Sequence, residues 1–139
     1  MQVEGALGGD IQAIRRDSDV ISARQSGRQI AERMGYSRPD QALIATAISE
    51  LARNIVNYAG KGEIEITPVR RRGRMGLRII ARDHGPGIED LERAMADGFS
   101  TGNSFGLGLP GAKRIMDDFD VVTAVGEGVV VTAIKWMGR

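Results

Sequence analysis

Three short groups of residues carry the chemistry open to this sequence. Glu50 and Asn54 stand four positions apart; Asp83-His84-Gly85-Pro86-Gly87-Ile88 follows; Phe105-Gly106-Leu107-Gly108-Leu109 comes last. Each alone is weak, and an Asp-x-Gly-x-Gly run by itself is most simply a tight turn with a solvated aspartate. Together, in this order, they describe a pocket for a nucleotide. A carboxylate fixed at a strand end and pointing into an apolar region needs a hydrogen-bond donor, and the exocyclic amino group of adenine is one. Gly85 and Gly87 let the chain turn sharply and let a flat base approach the backbone. Asn54 offers a carbonyl oxygen of the kind magnesium takes beside phosphate oxygens and waters. Glu50, one helical turn earlier, can accept a proton from water or from a hydroxyl nucleophile. The plain alternative for this pair is a surface Glu-Asn couple on a helix.

The second glycine group stands directly before an expected helix, where free N–H groups bind phosphate. The stretch 98–112 has no charged side chain. Phosphate binding there would depend on backbone amides, the hydroxyls of Ser100, Thr101 and Ser104, and a metal ion, with Lys113 the nearest cation. No Gly-Lys-Ser/Thr follows, so this is not a Walker loop, and no strand leads into it as in a dinucleotide-binding turn. Thr132 is in phase with Val130 and Ile134, where its hydroxyl could support a base and the Asp83 carboxylate through water; a threonine placed for strand propensity is the alternative. His84 reads as a turn residue. The basic run 70–74 is most simply a solvated hairpin tip, and docking of an acidic partner is its lesser reading.

These groups need elements to hold them. The pattern predicts a short strand over 11–15 and a helix over 20–34 closed by Gly35. Ser37 reads as an N-cap, with Pro39 in the first turn and Asp40 three residues on. A long helix is expected from there to 59, stopped by Gly60. Its apolar stripe is Ile44, Ala47, Ile48, Leu51, Ile55 and Ala59. Glu50 and Asn54 fall on one edge of that stripe, while Arg53 points to solvent. Strands are expected over 63–69 and 77–83. Period two puts Leu77, Ile79, Ala81 and Asp83 on one face. A short helix over 90–97, a glycine-rich loop over 98–108 and a helix over 109–119 follow, with Met95, Met116 and Phe119 as core. Strands over 121–125 and 129–136 close the chain as a hairpin around Gly126-Glu127-Gly128. The sum is an α/β sandwich (α+β), a mostly antiparallel sheet with helices packed on one face.

Size and composition bound what this can be. The 139 residues suit one domain, 1–139, and 42% hydrophobic with 27% charged residues is an ordinary soluble composition. Nineteen basic residues against eighteen acidic ones give a net charge of +1, no general reason to bind nucleic acid or a membrane. With no cysteine and one histidine, disulfides are excluded and a transition-metal site is disfavoured. The start of the chain lacks the basic and apolar runs of a signal peptide, and no apolar stretch has the length to cross a bilayer. A cytoplasmic home is compatible with all of this.

The three groups together resemble the GHKL superfamily, whose ATP site is the Bergerat fold. Glu50-Leu51-Ala52-Arg53-Asn54 is similar to its N box, Asp83 to Ile88 to its first glycine box, and Gly106-Leu107-Gly108-Leu109 to its second, with 98–105 as the ATP lid. The likeness covers nearly the whole chain. Histidine kinases of this class carry a phosphorylated histidine on a separate helix pair, and the gyrase, mismatch-repair and chaperone members work through a second domain; neither is expected here. Asp97-Gly98-Phe99-Ser100-Thr101 and the stretch 106–117 are most similar to the stressosome switch kinases, the T component of the Rsb modules. The sister anti-sigma kinases usually have an arginine in the lid, and this lid has none.

The resemblance implies an ATP- and Mg²⁺-dependent serine/threonine kinase of bacterial partner switching. Glu50 would be the general base and Asn54 the Mg²⁺ ligand. Asp83 would read adenine beside Gly85, Gly87 and Ile88, with Thr132 behind it. Ser100, Thr101 and Gly106 to Leu109 would close on the phosphates. Substrates would be STAS-domain scaffold or antagonist proteins, and the released kinase would activate a PP2C-type phosphatase. Tyr58 stands where many relatives have histidine. Two rival functions are an anti-sigma module that sequesters a sigma factor, and a nucleotide-binding adaptor without useful catalysis. Oligomeric state is open.

Overall fold

In the computed structural model the described residues are 5–6, 9–87, 95 and 109–138. The alternating segments form strands β1 (Gly5–Ala6), β2 (Asp10–Ile14), β3 (Gly62–Arg71), β4 (Arg74–Asp83), β5 (Asp118–Ala124) and β6 (Gly128–Trp136). They join one sheet in the order β1-β3-β4-β6-β5, with β2 also pairing β3. Every described pairing is antiparallel. Helices α1 (Asp17–Met34), α2 (Arg38–Asn54) and α3 (Leu109–Ile115) supply the second layer.

The pleat decides which residues meet the helices. Paired residues of an antiparallel sheet share a face. Ile64 and Ile66 of β3 face the same way as Ala81 and Ile79 of β4, and these as Val131 and Ala133 of β6. All are buried against Ala23 of α1 and Ile44, Ala47, Ile48 and Leu51 of α2 in one core. The opposite face carries a charged ladder: Arg82 reaches Glu63 at 3.4 Å and Glu65 at 3.3 Å, and Arg78 reaches Glu65 at 3.5 Å. A sheet with one apolar and one charged face is the expected two-layer sandwich.

The helix ends follow the capping chemistry. Gly35 takes φ +99° and its N–H reaches back to Glu32 and Ala31, ending α1. The Ser37 hydroxyl accepts the Asp40 N–H at 3.2 Å and starts α2. Gly27 lets the two helices approach, since a Cβ there would collide with Ile48.

Three helix boundaries differ from expectation, and one strand is additional. The first helix starts at Asp17, not 20, because the Asp19 carboxylate accepts the Arg15 and Arg16 N–H groups at 2.9 and 3.2 Å. The long helix does not stay α-helical to 59. It gives way at Ile55–Ala59 to a π-helical turn that Gly60 closes, its N–H donating to Ile55 at 2.8 Å with φ +85°. The third helix stops at Ile115 instead of 119. By Asp117 the backbone already donates to Ile134 at 2.9 Å, so Phe119 belongs to β5, opposite Ala133. Finally β1 was not anticipated. Met116 is core as expected, and Met95 and Phe119 pack against that core.

Candidate nucleotide site

The site is assembled where the end of β4 meets the end of α2. Asp83 is the last residue of β4 and lies on the helix-facing side. Its Oδ1 accepts the Gly85 N–H at 2.9 Å and the Val129 N–H at 3.3 Å. Two backbone donors on one oxygen fix the carboxylate plane. Among the described residues no donor reaches Oδ2, so that oxygen is available to a ligand donor.

Glycines make this close packing possible. A Cβ at Gly85 would stand 2.6 Å from the Ala59 Cβ and 2.8 Å from its Cα, so the turn lies directly on the π-helical segment. A Cβ at Gly62 would stand 2.9 Å from Ile55 and 3.1 Å from the Asp83 Cβ. Gly87, at φ +79°, abuts the Ala124 carbonyl, and Pro86 accepts the Gly126 N–H at 2.7 Å. The glycines at 85 and 87 thus serve contacts within the protein, anchoring the turn between helix and hairpin.

Asn54 is the last residue of α2, next to the Ile55 that touches Gly62, and is half-buried. Glu50, one turn back, has a side chain only 13% exposed, against 53% for Arg53. Arg53 does point to solvent, but its Nη1 reaches back to Glu50 Oε1 at 3.2 Å. Burial pushes the Glu50 carboxyl above its ordinary range, and the Arg53 cation opposes that. A carboxylate biased toward proton uptake is what a general base needs. Among the described residues no group of three or more His, Cys, Asp or Glu can hold a metal. The single carboxamide oxygen of Asn54 fits a magnesium ion whose other ligands are phosphate oxygens and waters.

One expected member is misplaced. Thr132 pairs with Ile80, whereas Asp83 pairs with Val129 and Ala81 with Val131. Thr132 therefore stands on the opposite face of the sheet from Asp83, and cannot support that carboxylate. Position 129 is three residues away, an odd step that reverses the face. The support comes from the Val129 main chain, which no side-chain pattern reveals. The Arg53 contact was available to sequence reasoning, because residues three apart on a helix are neighbours. The Leu109 side chain is buried in the core at the start of α3, leaving only its main chain for a ligand. Ile88, Ser100, Thr101, Gly106, Leu107 and Gly108 lie outside the described residues, as do the expected loop over 98–108 and, save Met95, the expected helix over 90–97.

Comparison with known proteins gives the family of the chain. The family of histidine kinase-, DNA gyrase B- and HSP90-like ATPases matches residues 39–137. The serine/threonine-protein kinase RsbT of Bacillus subtilis (strain 168) is 54% identical over 124 residues, 89% of this chain and 93% of that protein. An anti-sigma F factor of Caldanaerobacter subterraneus subsp. tengcongensis is 32% identical over 102 residues, 69% of this chain and 70% of that protein. The crystal structure of RsbU and RsbW domains from Mycobacterium tuberculosis superposes with a TM-score of 0.61 at 17% identity, over 94% of this chain and 33% of that one, a likeness of fold. The chain belongs to this ATPase family, the GHKL class, and within it groups with the RsbT-type kinases. It is thus an ATP-dependent phosphotransferase.

Proposed function

We propose that this protein is a serine/threonine protein kinase of a bacterial stress-signalling partner switch. It would transfer the γ-phosphoryl group of ATP to a STAS-domain scaffold or antagonist protein, then bind and activate a PP2C-type phosphatase in the cytoplasm. The observation that carries this reading is the fixed, half-open Asp83 carboxylate at the end of β4 together with the largely covered Glu50 side chain and the half-buried Asn54 at the end of α2.

In this mechanism Asp83 accepts the adenine amino group through Oδ2. As the family resemblance implies, residues 106–109 would contribute main-chain amides, and Ser100 and Thr101 hydroxyls, to phosphate binding. Asn54 would hold Mg²⁺, which would supply charge compensation on the phosphate oxygens. The Glu50 carboxylate accepts the proton of the acceptor serine or threonine as its oxygen bonds to the γ-phosphorus, and the bond to the ADP oxygen breaks. Phosphoryl transfer asks mainly for positioning and charge compensation, so few catalytic side chains suffice.

The likeness to an anti-sigma F factor favours a second reading, in which the chain sequesters a sigma factor. Incubation with Mg-ATP and candidate partners, followed by intact-mass measurement, separates them. One added phosphate on a STAS protein supports the switch kinase. A stable complex with a sigma factor and no mass gain on any STAS protein overturns it.

A further inference from the structure

The tip joining β3 and β4 holds four arginines within five positions, Arg70, Arg71, Arg72 and Arg74, in a chain whose net charge is +1. It lies at the other end of the ten-residue strand β4 from Asp83, about 30 Å away at roughly 3.3 Å per residue. The nucleotide site has no use for it.

The tip is built, not loose. Arg71 lies over the Trp136 ring at 4.5 Å and reaches Asp118 at 3.5 Å, and the Trp136 Nε1–H donates to the same carboxylate oxygen at 2.7 Å. Gly76 makes room for the indole, since a Cβ there would stand 2.6 Å from the ring. Arg74 donates to the Met137 carbonyl at 2.8 Å. A cleft of about 560 Å³ opens here, lined by Arg72, Arg74, Met75, Trp136 and Met137 among others.

Arg72 and Gly73 take φ +51° and +75°, as in a two-residue hairpin turn. Arg72 is the one non-glycine residue with positive φ among the described residues. Asparagine suits that position better, so what arginine adds is charge and reach, not turn geometry.

The composition chooses the occupant. Arginine, methionine and tryptophan are enriched at protein–protein interfaces. A nucleic-acid surface would instead need a longer basic track than one turn provides. We infer that the β3–β4 tip is a docking surface for an acidic segment of a partner protein, its carboxylates meeting Arg70, Arg72 and Arg74 and an apolar side chain resting on Met75 and Met137. This does not rest on the kinase reading.

The test uses the full chain and a short fluorescein-labelled peptide of alternating glutamate and leucine, read by anisotropy. The peptide is expected to bind, and the Arg70→Glu/Arg72→Glu pair to weaken it by about tenfold or more. Arg72→Asn is expected to weaken binding while keeping or raising the melting temperature, which separates docking from folding. Arg24→Glu/Arg28→Glu on α1 is expected to change nothing. No binding, binding indifferent to the tip variants, or loss on the α1 reversal overturns the proposal. So does tighter tip-dependent binding of oligothymidylate or phosphatidylserine vesicles.

Discussion

Glu50 carries two opposed effects in one side chain. Its burial favours the protonated form, so its folded-state pKa lies above the ordinary 4.5. In the proposed mechanism the ionised form is the one that accepts the proton, so the acid limb of kcat/KM is expected above the ordinary glutamate range. For stability the sign is reversed. A folded-state pKa raised above the unfolded one gives stability that is present at low pH and lost as pH rises through the raised value. At neutral pH the buried charge is therefore a cost. Glu50→Gln is expected to lower transfer by about 10²–10⁴-fold while leaving ATP affinity intact, with a melting temperature equal to or above that of the parent. Phosphate incorporation, nucleotide titration and a thermal melt check the three parts. Arg53→Ala removes the opposing cation, so the acid limb is expected to move further up in pH, with a stability change of about 0.5 kcal/mol or less for a pair exposed on one side. A pH–rate profile measures it.

At the scale of elements the same physics sets both the pocket and how far a sequence discloses it. Ser37, Gly35 and Gly60 announce their helix ends because capping is local chemistry. The strands alternate because one face of the sheet is buried. Asp118-Phe119-Asp120-Val121 alternates as well, but no breaker separates it from the helix before it, so the helical pattern reads on into β5. The face of Asp83 was legible from period two within its own strand. The fault at Thr132 came from phase between strands, which depends on register and not on either strand alone. The packing of Gly85 on Ala59 was likewise invisible, since it joins residues far apart in the chain. Gly85→Ala is expected to destabilise the fold by about 1–3 kcal/mol, because the atoms it meets include helix backbone that must shift. It is also expected to weaken ATP binding by displacing the donor to Asp83. Denaturant unfolding and nucleotide titration would show both losses together.

Across the whole molecule the long β3–β4 hairpin separates two tasks. One end places the Asp83 carboxylate beside the end of α2, where the nucleotide site is proposed; the other presents the arginines proposed to meet a partner. A rigid two-layer sandwich keeps them apart, so reversing charge at the tip is expected to leave nucleotide affinity unchanged. The proposed function rests above all on a purine nucleotide held between α2 and the sheet through Asp83. Calorimetric titration of Mg-ATP into the parent, Asp83→Asn and Glu50→Gln forms measures this most directly. The expected result is binding to the parent, a similar affinity for Glu50→Gln, and at least about tenfold weaker binding for Asp83→Asn, one charge-assisted hydrogen bond lost. Equal affinity of the Asp83→Asn form would contradict a base held at that carboxylate.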